Sequence, residues 1–238
     1  CRRTGSAKWH LCPSGARCCS VRRRAPEQAG PARSIFEGAL LVVVGTGAGA
    51  AERHLDAALA LAGGHFAVGG GTLAIVLDSQ GPLPAHGDSN STENLLLLGG
   101  PESNSWTRDL LAQGALKDLR FGPQGRIGLG PCDFGSKELG LLAVGPLPET
   151  GAAPPRRRFV LAAAPSAAAL GRLLAAFAGL REPNTWQARL PDYLLLDGPR
   201  GGQGTGGVLA AGFWGGESGW EWTAARGYAA CSKGRPEL

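Results

Sequence analysis

The sequence predicts an α/β fold: an open, mostly parallel sheet covered by helices on both sides, a three-layer Rossmann-like arrangement. Two observations carry that expectation. First, the apolar runs at 39–44 (ALLVVV), 73–77 (LAIVL), 94–98 (NLLLL), 159–164 (FVLAAA) and 193–196 (YLLL) are short and nearly free of polar residues. A strand with one wet face alternates, whereas a strand covered on both faces does not. Second, small-residue turns stop the strands: Gly45-Thr46-Gly47, Gly99-Gly100-Pro101, Gly145-Pro146, Ala164-Pro165 and Asp197-Gly198-Pro199. In an open parallel sheet such turns gather at the carboxyl edge, where ligands of this fold class bind.

Taken in order, residues 1–29 form a basic, Cys-rich leader, expected to be disordered. Gly30-Pro31 opens a single domain running to about residue 225, and 226–238 is a tail. After the strand at 39–44, Ala51, Leu55, Ala58, Leu59 and Ala62 recur at helical spacing, with Glu52, Arg53 and Asp56 on other faces and Gly63-Gly64 as the stop. The strand at 73–77 is closed by Asp78, and the polar loop 79–92 carries Asn90-Ser91-Thr92, a glycosylation acceptor if the chain is secreted. The central unit follows: the leucines 95–98, a sharp Gly/Pro turn, Ser103 or Asn104 as helix cap, and Trp106, Leu110 and Leu111 as the apolar side of the helix. Between 119 and 144 the pattern changes to short apolar runs at 126–129 and 139–144, predicting a local β-hairpin excursion. Beyond the strand at 159–164, Ser166 caps a helix whose Leu170, Leu173, Leu174 and Phe177 fall at i, i+3, i+4 and i+7. A Gly-rich loop at 201–207 separates the strand at 193–196 from the last one, at 208–213.

Composition excludes several classes. The formal charge of +5 resides largely in the leader, where Arg2, Arg3, Lys8, Arg17, Arg22, Arg23 and Arg24 crowd together, and the remainder is close to neutral. That distribution argues against a nucleic-acid partner, since charge is only an electrostatic footprint. A second basic run, Arg156-Arg157-Arg158, is expected to be the solvated start of a strand. No run approaches the ~20 apolar residues a membrane helix needs, and no apolar signal-peptide region opens the chain. The absence of Met, even at position 1, points to a fragment of a longer polypeptide. Cys1, Cys12, Cys18 and Cys19 contain no CxxC pair and do not complete a zinc pattern with His10. Cys132 and Cys231 stand apart and are candidates for a disulfide in an oxidising compartment.

Three chemistries compete. Gly45 to Ala50 (GTGAGA) fits GxGxxA, follows a strand and opens a helix, and Asp78 ends the next strand, where a ribose-binding acid of an NAD or NADP site would sit. Asp78 lies farther from Gly45 than the usual ~20 residues. This dinucleotide reading requires an open groove over Gly45–Ala50 with Asp78 pointing into it. Serine-hydrolase chemistry lacks a GxSxG elbow. The four histidines (His10, His54, His65 and His86) are expected in solvent or in local hydrogen bonds, so no complete catalytic set is present. No HExxH occurs, and no metal site is expected. Finally, Trp186, Trp214, Trp220 and Trp222 could stack on a sugar if two or more were exposed and coplanar, making a carbohydrate-binding module; burial in the core or an interface is the alternative. The candidate ligand edge comprises Gly45, Thr46, Gly47, Asp78, Gly99, Gly100, Ser103, Asn104 and Asp197, although capping suffices to explain Ser103 and Asn104.

Several phrases carry a resemblance: GPARSIFEGALLVVVGT (30–46), NLLLLGGPESNSWT (94–107), LGLLAVGP (139–146), ARLPDYLLLDGP (188–199) and GGVLAAGFW (206–214). In order and spacing they resemble the C-terminal α/β region of large secreted fungal and bacterial proteins. The upstream part of those proteins resembles α/β-hydrolases or prolyl-oligopeptidase-type peptidases. The resemblance spans about residues 30–222. It implies an extracellular setting, a catalytic domain upstream in the same polypeptide as partner, and a serine nucleophile outside this chain. It assigns no catalytic residue here. The Cys-rich leader departs from it.

Overall fold

The computed structural model describes residues 24, 28, 32–81, 93–147, 157–178, 190–198, 207–216 and 218–231. It is a mixed α/β fold with one large mixed sheet, one small antiparallel sheet and, among the described residues, three α-helices. The large sheet contains β1 (Leu40–Val44), β2 (Ala74–Leu77), β3 (Asn94–Leu98), β7 (Leu139–Pro146), β8 (Arg158–Ala163), β9 (Tyr193–Asp197), β10 (Val208–Gly212) and β11 (Gly227–Ala229). Their spatial order is β11-β10-β9-β7-β8-β3-β1-β2. The strands β2, β1, β3 and β8 are parallel, and β7 and β10 run against their neighbours. The small sheet is β4 (Leu119–Phe121), β5 (Ile127–Leu129) and β6 (Cys132–Phe134).

The four leucines of β3 sit between β1 and β8, and Leu96, Leu97 and Leu98 are fully buried. Burying a leucine stabilises the fold by roughly 1.5–3 kcal/mol, so this segment outcompetes the others for the centre of the parallel block. Helices α1 (Ala51–Ala67) and α3 (Ala167–Ala178) pack against each other, α1 over β1 and α3 over β7 and β8. Helix α2 (Ser105–Ala112) is placed by its capping residues, described below.

Several expectations are corrected. Residues 139–146 are not part of a local hairpin. They form β7 and are almost wholly buried in the main sheet, while the excursion is the three-stranded β4–β6 unit. Gly145-Pro146 lies inside antiparallel β7, at the sheet edge opposite the other turns. Helix α1 does not stop at Gly63-Gly64 but runs on to Ala67; a helical glycine costs only about 1 kcal/mol. The inward stripe of α1 is His54, Ala58 and Leu61, whereas Leu55 and Leu59 are 37% and 54% exposed. Arg158 is buried in β8 rather than solvated.

Residues on either side of 30–225 also contact the sheet. Arg24, from the stretch read as leader, makes an ion pair with fully buried Asp192 and lies 4.6 Å over the Trp220 ring. Asp192 also accepts from the Trp214 backbone N–H at 2.9 Å, and buried Gln28 donates to the Arg157 carbonyl at 3.2 Å. A buried carboxylate needs such partners to offset its desolvation. At the other end, β11 and Cys231 belong to the folded unit, not to a tail. Of the tryptophans named for a carbohydrate platform, Trp214 and Trp220 are buried and Trp222 is half-buried against Gly130, 2.6 Å from where a Cβ would stand. Trp186 and Asn90 fall outside the described residues, as does most of the leader.

Cys132 and Cys231 form a disulfide with Cα atoms 5.6 Å apart, within the range such a bond requires. It fastens the small sheet to the chain just beyond β11, and the Trp222 backbone N–H adds a 2.7 Å bond to Asp118. The two cysteines are 99 residues apart, so the bond closes a long loop. Replacing both by Ala is expected to lower unfolding stability by about 2–4 kcal/mol, measured by urea denaturation, with the reduced wild type shifting by a similar amount.

Candidate functional site

The carboxyl ends of β1 and β3 are neighbours, and the chain leaves them in different directions: β1 feeds α1 toward edge strand β2, and β3 feeds α2 and then the strands beyond β8. Such a reversal of strand order is where open α/β sheets bind ligands. The structure brings Gly45, Thr46, Gly47, Asp78, Gly99, Gly100, Ser103 and Asn104 together here through the hydrogen bonds and close approaches that follow. Asp197 is not among them. It ends β9, four strand positions from β1 or roughly 19 Å at the usual strand spacing, and accepts from Ser136 Oγ at 3.1 Å.

The chain fills this crevice with its own groups. Asn104 is the N-cap of α2: its Oδ1 accepts from the Thr107 N–H at 3.1 Å, and its Nδ2 donates to the carbonyls of Val43 (3.3 Å) and Leu98 (3.1 Å). Gly45 N–H donates to the Leu98 carbonyl at 3.0 Å and Gly47 N–H to the Ser103 carbonyl at 2.9 Å. Thr46 donates twice to Asp78 Oδ1, from its backbone N–H at 2.9 Å and its hydroxyl at 2.7 Å. Asp78 Oδ2 takes the Ser105 N–H, at the start of α2, at 2.7 Å. Burial alone would raise the Asp78 pKa, but the bonds from Ser105 and Thr46 together outweigh it and hold the carboxyl below its ordinary value.

This geometry bears on the dinucleotide expectation, which asks for an open groove over Gly45–Ala50 with Asp78 pointing into it. The N–H groups of Gly45, Thr46 and Gly47, which would cradle a pyrophosphate, are each bonded within the chain. Asp78 is 6% exposed with both oxygens engaged, so it is not presented to a ribose. The glycines serve close backbone packing instead: a Cβ on Gly45 would strike the Ser103 carbonyl and stand 2.7 Å from Asn104 Cβ, and one on Gly47 would stand 2.9 Å from the Glu102 carbonyl.

His54, expected in solvent or in a local hydrogen bond, is fully buried beneath this junction and makes the hydrogen bond. Its Nδ1 lies 2.8 Å from the Gly45 carbonyl, which can only accept, so Nδ1 carries the proton. Nε2 is then a buried lone pair with no hydrogen-bond partner among the described residues. A Cβ on Gly99 (φ 110°) would stand 2.6 Å from His54 Cε1 and 2.5 Å from Ser103 Oγ. No hydrogen bond joins that serine to the histidine, and Ser103 Oγ donates to the Gly100 carbonyl at 3.3 Å. A nucleophile–base pair is therefore not assembled here.

Beside the filled junction a cleft of about 210 Å³ opens over the ends of β3 and β8. Arg53 lines it from α1, Pro101 to Ser103 from the turn after β3, Phe121 and Ile127 from the small sheet, and Ala163 to Pro165 from the end of β8. The sequence pattern places Arg53 on a face other than that of Leu55 and Leu59; its neighbour His54 is buried, and Arg53 lines the cleft. The small sheet's role as a wall has no local signature. Among the described residues, no group of three His, Cys, Asp or Glu could hold a metal, and no helix is long and apolar enough to cross a membrane. Compared with models of known protein families and with curated protein sequences, the chain finds no match.

Two predictions test this construction. Gly45→Ala is expected to cost roughly 1–3 kcal/mol or more, because backbone cannot yield as a side chain can. Gly49→Ala, at φ 65° with nothing within 4 Å of a Cβ, is expected to cost only the left-handed strain of about 1–2 kcal/mol; equal midpoints in urea would refute the close-packing account. The second concerns pH. Burial, the largest effect, lowers the His54 pKa, aided by nearby Arg53 and opposed by the Gly45 hydrogen bond and Asp78. The folded ring stays neutral while the unfolded chain takes up a proton below about pH 6.5. Stability should therefore fall as pH drops below that value, and His54→Asn, which keeps a donor toward Gly45, should flatten that part of the profile in urea melts.

Proposed function

We propose that this chain is an accessory, C-terminal α/β domain of a secreted hydrolase of peptidase or esterase type, three-layered and Rossmann-like, non-catalytic by itself and docked on the catalytic domain upstream in the same polypeptide. The observation that carries the docking is the second apolar stripe of α1. The helix buries His54, Ala58 and Leu61 against its own fold, yet Leu59, Phe66 and the following Val68 are 54%, 66% and 70% exposed, and Leu55 is 37% exposed. A helix apolar on more than one side belongs in a wider burial than one sheet provides. The helix leads into β2, the edge strand of the sheet, which is itself only partly covered. The choice of partner is inferred from the resemblance of five separated phrases. The Cys132–Cys231 bond and the acceptor at Asn90 agree with an oxidising, extracellular setting.

The NAD(P) alternative would have to break the Asp78 bonds to Thr46 and Ser105 and displace the turn at Glu102 and Ser103, and nothing in the site favours that. For the accessory reading, the upstream sequence of the encoding transcript is read in the same frame, and the domain it specifies is produced and titrated with this chain. The expected result is a hydrolase-like domain whose association is weakened about tenfold or more by Leu59→Asp or Phe66→Asp, with circular dichroism unchanged. An upstream region unrelated to hydrolases, or an association indifferent to both substitutions, overturns the reading.

A further inference from the structure

We infer that the cleft over β3 and β8 is a binding site for a small apolar α-amino acid. This inference is independent of how the outer face of α1 is covered. Size sets the first limit. At about 210 Å³ the cleft is smaller than the roughly 300–1,000 Å³ typical of sites for drug-sized ligands and cofactors, so it suits a ligand of a few heavy atoms rather than a nucleotide. Its walls set the second. Phe121 and Ile127 face the end of β8 at Ala163 and Pro165, a surface that favours an apolar body.

The polar residues define the rest. Arg53 lines the cleft, and its Nε is buried with no hydrogen-bond partner among the described residues. No acidic group among them pairs with it within 4 Å. A buried donor left unpaired is costly, and a guanidinium matches a carboxylate in a bidentate pair better than any other ligand group except phosphate. Glu102, which also lines the cleft and likewise has no ion-pair partner among the described residues, disfavours a doubly charged phosphate. It offers an acceptor to an ammonium group instead. One cation, one anion and an apolar wall together fit a zwitterion with an apolar side chain. Ser103 Oγ, engaged among the described residues only with the Gly100 carbonyl at 3.3 Å, belongs to the same lining.

The test is a titration of the whole chain followed by two-dimensional amide NMR, with L-leucine and L-phenylalanine as probes. Saturable shifts at residues lining the cleft are expected in the millimolar range or tighter. Leucinamide, which lacks the carboxylate, and 4-methylpentanoate, which lacks the amine, should each bind about tenfold more weakly than leucine or worse. Arg53→Gln should abolish the leucine shifts, and Glu102→Gln should erase the preference for leucine over 4-methylpentanoate. If Arg53→Gln fails to fold, the comparison of leucine with leucinamide on the wild type still decides the matter. Absence of saturable shifts with both amino acids in the tens of millimolar, leucinamide binding as tightly as leucine, or 4-methylpentanoate binding as tightly as leucine overturns the assignment.

Discussion

The side chain of Asn104 is the constraint on which the centre of this molecule depends. One carboxamide joins three elements: its oxygen caps α2, and its nitrogen bonds the carbonyls of Val43 and Leu98 at the ends of β1 and β3. At 1% exposure none of these bonds has water as a substitute, so each unmet group would carry its full desolvation cost. The amide also dictates its neighbours. To sit between two strand ends it brings the turn after β3 against the turn after β1, and only a residue without a Cβ at position 45 leaves room. Glycine at this position is a consequence of the cap.

Asp78 extends the same logic to β2. Its carboxylate receives Thr46 on one oxygen and the first N–H of α2 on the other. A negative charge at a helix N-terminus is favourable, and four bonds to the two residues, counting the Ser105 hydroxyl on the Asp78 carbonyl at 3.3 Å, tie the edge strand to the centre. The acid at the end of the second strand thus has the position a ribose-binding residue would have and the opposite orientation. Residue type and sequence position coincide with the dinucleotide pattern, but here α2 starts close enough to claim the carboxylate.

The strands of the parallel block are legible in the sequence because full burial leaves uniform apolar runs, as in 40–44 and 94–98, and because Gly and Pro stop them. Strand direction is not legible. Nothing in LGLLAVGP distinguishes an antiparallel member of the main sheet from half of a hairpin, since both demand the same apolar residues and only pairing with β8 and β9 decides. The face of α1 was misread for a related reason. Leu55 and Leu59 are the stronger apolar signals, so periodicity selects them, while the stripe that the fold buries contains a histidine. The site residues near β1 and β3 could be found from the turns alone. Their hydrogen-bond partners could not, because Thr46 to Asp78 and Asn104 to Val43 connect positions separated by 32 and 61 residues.

At the point where an open α/β sheet reverses its winding, backbone N–H groups face a crevice and must find acceptors. A ligand phosphate is one solution; here the chain supplies its own acceptors in the carbonyls of Leu98 and Ser103 and the carboxylate of Asp78. Among the described residues Arg53 has no acidic partner within 4 Å, and it lines the neighbouring cleft together with Phe121 of the small sheet. The excursion at 119–134 therefore converts an exposed strand edge into a concavity. The disulfide from Cys132 to Cys231 anchors that excursion to the chain just beyond β11.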